Sequence, residues 1–204
     1  MNELMKAVNF RHACKSFDGT KSIPSEALGE ILEAGRLAPS SLGMQPWHFL
    51  VAQKPELKAA LSQACSNQKH FACCSHFVVV LARKPHNYEP GSALLDEMLG
   101  NGKVPAERAE FIRSRLQALP DKLGWAKSQT YLAGAQIMLA AAALGIDSCP
   151  IAGNPGPEAD AIAKFAPAFP MADFEVVWNI ALGYRANEQP PRMRLPMEKT
   201  VTFA

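Results

Sequence analysis

Four short stretches of this chain carry side chains that could hold an anion or a flat ligand. The first is Arg11-His12-Ala13-Cys14-Lys15, with two cations four residues apart. A bend would let both face one anion; a solvated basic turn would look the same. The second is Ala38-Pro39-Ser40-Ser41-Leu42-Gly43-Met44-Gln45-Pro46-Trp47, where two prolines stiffen a loop of hydroxyl and backbone donors. It also reads as a plain connector between a helix and a strand. The third is Cys149-Pro150-Ile151-Ala152-Gly153-Asn154, expected as a Pro/Gly loop after a buried helix. Its small residues would let a flat group approach the backbone, or would simply make a turn. The fourth is Arg192-Met193-Arg194-Leu195-Pro196. On an extended chain Arg192 and Arg194 share one side, a guanidinium pair suited to phosphate, or just a basic tail.

Other chemistries lack their residues. No G-x-G-x-x-G follows a strand pattern, and neither H-E-x-x-H nor G-x-S-x-G occurs. Gly100-Asn101-Gly102-Lys103 has no strand before it and reads as a turn rather than a phosphate loop. The five histidines lie apart, without ligand spacing, so no metal is expected. Cys14, Cys65, Cys73, Cys74 and Cys149 are odd in number and contain no C-x-x-C, which argues against a disulfide framework or a zinc site. Cys73 and Cys74 are adjacent and could be a redox pair, but they precede an apolar strand, where free cysteines are commonly buried. Lys plus Arg is 21 against 19 for Asp plus Glu, a net charge of +2, so neither nucleic acid nor an anionic membrane is an expected partner. The first residues contain no apolar signal segment, and the longest apolar run, Leu132 to Ile146, falls short of the ~20 residues a span needs. A cytoplasmic protein is expected.

The elements that would position these stretches follow from periodicity. The 204 residues, 48% apolar and 20% charged, suit a single domain over 1–204. Helices are expected at 2–9, from Ile23-Pro24-Ser25 to near Pro39, at 55–65, 122–144 and 157–166. Strands are expected at 47–53, 76–83 and 174–182. Residues 84–120 hold polar turns and two amphipathic pieces, 92–99 and 105–119, and are expected to form a helical insertion or lid near the active site. The 122–144 helix is almost uncharged after Lys127, so it is expected to be buried on all sides, at the centre and at a subunit interface. The proline-rich tail from Gln189 runs extended and ends in Thr-Val-Thr-Phe, a short strand signal that suggests pairing with a sheet, including a partner's. Strands separated by helices make an α+β chain and exclude sandwiches and barrels.

Taken together, in their order and spacing, the motifs resemble the FMN-dependent nitroreductase family, in its oxygen-insensitive NAD(P)H nitroreductase and dihydropteridine reductase branch. The family's R-H-S-x-K-x-F-D is similar to Arg11 to Asp18, and its S-P-S-S-x-N-x-Q-P-W-H-F to Ala38 to Phe49. Its long helix, W-x-x-x-Q-x-Y-L and then A-A-L-G-L-D, is similar to Trp125 to Leu132 and Ala142 to Asp147. Its P-I-x-G corresponds to Pro150 to Gly153, its late strand to Val176 to Arg185, and its K-x-R-L-P tail to Arg192 to Pro196.

The resemblance implies a three-layer α-β-α sandwich around a mostly antiparallel sheet. It also implies a homodimer with FMN at the subunit interface, the long helix in that interface, and the tail exchanged onto the partner. Arg11 and Arg194, with Arg192 close by, would hold the FMN phosphate, and His12 and Ala13 belong to the same segment. Lys15 would stand at flavin N1/O2 and stabilise the charge gained on reduction. Pro39, Ser40, Ser41 and Gly43 would reach the same FMN from the other subunit. Asn67 would bond the ring edge, and Pro150, Ile151, Ala152 and Gly153 would lie against the ring. NADPH or NADH would give two electrons by a ping-pong mechanism to a nitroaromatic, quinone or similar small acceptor, with no side chain acting as an obligatory acid or base. The same scaffold serves flavin and enone reduction; a non-catalytic flavin-binding dimer or a thiol sensor built on Cys14, Cys73 and Cys74 is a further alternative. Four positions depart from the family pattern: Ala13 for Ser, Gly43 for Asn, Ala152 for an acidic residue and His70 for Lys.

Overall fold

Strand β2 (His76–Arg83) dictates the layering, because seven of its eight residues are buried. A strand apolar on both faces must be covered on both. Phe77, Val79 and Leu81 face Leu57 and Leu61 of helix α3 (Pro55–Ala64) and Ile162 of α7 (Pro155–Phe165). Val78 and Val80, pointing the other way, pack on Leu28 and Ile31 of α2 (Ser25–Arg36) and Ile137 and Ala141 of α6 (Lys122–Ala143). That alternation gives the α-β-α sandwich anticipated from the sequence. The computed structural model describes residues 2–65, 69–100 and 102–204, and the side chains of residues 69 and 70 are outside the described part.

The sheet has the order β1-β2-β4-β3, antiparallel throughout, with β1 at Trp47–Ala52, β3 at Asp147–Ala152 and β4 at Phe174–Gly183. Strand β3 corrects the sequence reading, which placed a loop at Cys149 to Asn154. Pro150 disguised it: an edge strand needs donors on one side only, so it tolerates a proline that a central strand would not. The β2–β4 register slips between Val80 and Leu81, whose partners are Trp178 and Val176, leaving Val177 as a bulge. A Cβ on Gly153 would lie 2.6 Å from the Val177 carbonyl oxygen. The glycine is therefore required by the chain's own strand, not by a visiting ligand.

Helix α1 (Glu3–Phe10) starts at Asn2, whose side chain accepts from the Met5 N–H at 2.9 Å, and it packs on α6. Helices α4 (Ala93–Leu99) and α5 (Ala106–Gln117) fill the 84–120 region. Leu95, Leu99, Ile112 and Leu116 build a separate small core with Met44, Tyr88 and Ala126. The turn before α5 closes through Lys103 N–H to the Gly100 carbonyl, 3.2 Å.

Helix α6 runs through the middle of the molecule but is not buried on all sides in the single chain. Tyr131 is 55% and Leu132 45% exposed. Leu4, Leu37, Leu139, Ala140 and Ala143 line an apolar groove of about 440 Å³ between α1, α2 and α6. The tail also departs from expectation: residues 200–203 form no strand within the single chain. Met193, Leu195 and Phe203 lie 89%, 72% and 90% exposed, with nothing of their own chain to cover them. Among the described residues no helix is long and apolar enough to cross a membrane.

Candidate active site

Three guanidiniums meet where the tail passes the end of α1. Arg11, His12, Ala13, Arg192 and Arg194 line one pocket of about 230 Å³. Burial, then the charges of Arg192 and Arg194, push the Arg11 pKa down from its ordinary value. Among the described residues none of the three arginines forms a salt bridge, and the nearby Asp147 is already bound by Arg185, 2.6 Å away. Like charges without a counter-charge raise the energy of the free protein, so the pocket is built for an anion.

Side-chain pins explain how an extended tail comes to stand here. Arg192 Nη2 donates to the carbonyls of Asn9, at 3.2 Å, and of Arg11, at the C-terminal end of α1. His12 Nε2 lies 2.9 Å from the Pro190 carbonyl, and Gln189 Nε2 lies 3.6 Å from Cys14 Sγ. With Nε2 donating to that carbonyl, His12 Nδ1 is a buried acceptor without a partner at the rim of the pocket. Arg194 is held only by its neighbour, through Nη1 to the Met193 carbonyl at 2.7 Å, and is the most available of the three.

Lys15 stands beside this pocket because the two residues before it lie against Ser148 of β3. Ala13 bridges to Ser148, and the Cys14 N–H donates to the Ser148 carbonyl at 3.0 Å. Lys15 Nζ ends 3.4 Å from Cys149 Sγ. Burial raises the Cys149 pKa, with Lys15 and Arg11 opposing it. Nothing in the spacing from 15 to 149 signals this contact. Cys14, Cys65 and Cys74 are also buried with raised pKa values, Cys74 to about 12, and Cys73 is exposed.

Pro150, Ile151, Ala152 and Gly153 follow directly on the same strand. Pro150 and Ala152 are exposed, while Ile151 turns into the core. The exposed pair leaves a flat ledge next to Lys15 with no side chain larger than proline on it. Asn67 lies outside the described residues, as does the side chain of His70.

Pro39, Ser40, Ser41 and Gly43 do not join this cluster within one chain. Their loop leads into β1 at one edge of the sheet, whereas Pro150 belongs to β3 at the other, where Lys15 reaches Cys149. Three strand spacings of ~4.8 Å and about five residues along the strands put roughly 20 Å between Trp47 and Cys149. The loop is rigid: Ser40 Oγ accepts from Gln45 N–H at 2.9 Å and Gln129 Oε1 from Ser41 N–H at 2.8 Å. Gly43 has φ of +72°, the left-handed region open to glycine and asparagine.

The sequence model of the nitroreductase family matches residues 8–184. The chain belongs to the nitroreductase family. A Bacillus subtilis protein provisionally named NAD(P)H nitroreductase YfkO is 34% identical, over 98% of this chain and 97% of its own. A Staphylococcus epidermidis protein provisionally named NAD(P)H nitroreductase SERP2086 is 38% identical, over 92% of this chain and 90% of its own. Among solved structures, a nitroreductase, so named provisionally, in complex with FMN from Exiguobacterium sibiricum matches with a TM-score of 0.80 and 27% identity. That match covers 100% of this chain and 98% of the other. The exchange of Asn for Gly43 in this nitroreductase has a direct cause in backbone geometry, since both residues accept a positive φ. Ala13 lacks a hydroxyl, and the Oγ of its bridge partner Ser148 is buried without a partner of its own.

Proposed function

We propose that two copies of this nitroreductase bind FMN at their shared interface and pass two electrons from NADPH or NADH to a nitroaromatic, a quinone or a similar small acceptor. The observation that carries this reading is the cluster of Arg11, Arg192 and Arg194 in a pocket whose lining holds no carboxylate. Such a set fits a phosphate monoester, which accepts several charge-assisted hydrogen bonds at once. Held there by Arg11, Arg192 and Arg194, FMN would supply the two-electron chemistry that links the nicotinamide to the acceptor.

The chain's own residues then have separate tasks. The arginines hold the phosphate and leave the ring free. Lys15 offers a fixed ammonium at the N1/O2 edge, where negative charge accumulates on reduction. The ledge from Pro150 to Gly153 backs the ring and keeps one face open for nicotinamide and acceptor in turn, which is the basis of a ping-pong order. Pro39, Ser40, Ser41 and Gly43 approach from the second copy, in keeping with the ~20 Å that separates Trp47, at the end of their loop, from Cys149 within one chain. Asn67 is assigned to the ring edge on the strength of the motif alone.

The second copy covers the open face of α6, where Tyr131 and Leu132 are exposed beside the apolar groove. Its tail lies along the free edge of β1, next to a cavity of about 600 Å³ lined by Trp47, His48, Phe49, Leu94 and Met98. An extended segment can add to an unpaired strand edge, and Phe203 near the end of the tail is exposed in the single chain. Helices α4 and α5 form a lid on the site, with Phe111 of α5 exposed beneath the Arg108 guanidinium. The setting is the reducing cytoplasm, in keeping with five free thiols.

Steady-state kinetics test the reading. With NADPH varied at several fixed concentrations of a nitroaromatic or quinone, a ping-pong enzyme gives parallel double-reciprocal lines. Intersecting lines would reject the ordered exchange, and no turnover with any acceptor would reject the activity.

A further inference from the structure

Behind the ledge, on the α3/α7 side of the sheet, a carboxyl is buried with no cation of the described residues paired to it. Glu158 is 0% exposed, and among the described residues it makes no salt bridge. Its partners are three donors on three different elements. Oε2 accepts from the Asn154 N–H at 3.0 Å, just where the chain leaves Gly153. Oε1 accepts from Asn179 Nδ2 of β4 at 2.6 Å, and from the Cys65 thiol at the end of α3. The Asn154 side chain extends the network by donating to the Ala64 carbonyl at 3.1 Å.

A leucine would fill this space at lower cost than a desolvated carboxyl. Burial indeed pushes the Glu158 carboxyl up from its ordinary range. What the carboxyl adds is connection. Asn179 is the register partner of Ile151, so the network grips the ledge from behind at Ile151 and by its exit at Asn154. It does not reach the open side: Pro150 and Ala152 point away from it, as alternate residues of a strand must. Glu158 therefore has no path for passing a proton to a ligand on the ledge.

We propose that Glu158 is a positioning residue, tying the turn after Gly153 to β4 and α3 and so fixing the ledge against the flavin ring. The proposal rests on the reading above that Pro150 to Gly153 back the ring. A misplacement of about 1 Å at a reacting pair can cost up to ~100-fold in rate, so slack in the ledge would appear in hydride transfer. Glutamine should serve almost as well as glutamate. Its Oε1 can accept from the Asn154 N–H, and once the Asn179 amide turns over, its Nε2 can donate to Asn179 Oδ1, which is buried with no partner among the described residues.

The test uses Glu158→Leu and Glu158→Gln with two readouts. In the FMN-free protein, amide hydrogen exchange at Asn154 should quicken by roughly tenfold or more in Glu158→Leu and stay near wild type in Glu158→Gln. In the FMN-loaded protein, stopped-flow reduction by NADPH should slow roughly 10- to 100-fold in Glu158→Leu and recover in Glu158→Gln. FMN affinity should change less than about threefold, because the arginines are untouched. Unchanged exchange in Glu158→Leu, or a wild-type reduction rate in the folded variant, would overturn the proposal. Equal losses in both variants would overturn it too, since that pattern marks the charge rather than the tie. If Glu158→Leu fails to fold, Asn154→Ala, at an exposed position, cuts only the link to Ala64. It should slow reduction more mildly, and a wild-type rate there would count against the tie. Failure of the wild-type protein to be reduced by NADPH would instead overturn the functional reading, while the exchange readout still decides whether Glu158 holds the ledge.

Discussion

Replacing Arg194 by alanine should weaken FMN binding without weakening the FMN-free fold. The structure sets both signs. Among the described residues Arg194 makes no salt bridge and bonds only the carbonyl of its neighbour Met193, and it adds to the charge that depresses Arg11. Its removal therefore relieves repulsion in the empty pocket. Charge pairs at exposed positions are worth up to about 1 kcal/mol, so the FMN-free protein should keep its stability or gain within that range. Against the phosphate, a hydrogen bond to a charged group contributes ~1.5–3 kcal/mol. That corresponds to a dissociation constant raised roughly 10- to 150-fold. Quenching of FMN fluorescence on titration into the FMN-free protein gives the affinity, and a thermal melt of the same sample gives the stability. Arg192→Ala is the internal contrast. Arg192 also caps the carbonyls of Asn9 and Arg11, so its loss should lower stability and affinity together. An unchanged affinity in Arg194→Ala, or a loss of stability matching that of Arg192→Ala, would refute the assignment of Arg194 to the ligand.

Lys15→Ala should lower the flavin reduction potential by ~30 mV, the equivalent of ~1.4 kcal/mol for two electrons; spectroelectrochemistry giving the wild-type potential would place the ammonium elsewhere. Leu132→Glu puts a charge on the open face of α6, so sedimentation should find monomer that has lost FMN; an FMN-loaded dimer would reject that face as the interface. Gly153→Ala sets a methyl 2.6 Å from the Val177 carbonyl oxygen. It should cost about 1–3 kcal/mol of stability, and an unaltered melting temperature would contradict the close approach.

The layers of the fold were legible because burial writes itself into periodicity. The run at 76–83 is apolar at every position from Phe77 to Ala82, and the structure makes it the strand covered on both faces. The run at 122–144 was read as buried on all sides, yet the single chain leaves Tyr131 and Leu132 open. Hydropathy reports that a face is shielded, not by which chain. Strand β3 was missed because Pro150 and Gly153 are turn residues by local propensity, and only the edge position and the Val177 bulge make them fit a strand and its exit. Within the site, Arg11, Arg192 and Arg194 were visible as cation pairs, but their meeting depends on pins such as His12 to Pro190 across 178 residues. The Lys15–Cys149 contact and the Glu158 network had no sequence signal at all. A glutamate in the first turn of a helix reads as an exposed capping residue, and only the fold reveals it to be buried.

The central claim is that a pair of these chains holds FMN on the arginine cluster and accepts electrons onto it from NAD(P)H. Anaerobic absorbance spectroscopy of the purified protein, run alongside sedimentation, tests this most directly. The account predicts a species of about twice the 22.1 kDa chain mass carrying one flavin per chain. Its visible bands should bleach on adding NADPH or NADH and return on adding a nitroaromatic or quinone. A monomer that stays colourless after incubation with FMN, or a bound flavin that neither nucleotide bleaches, would contradict it.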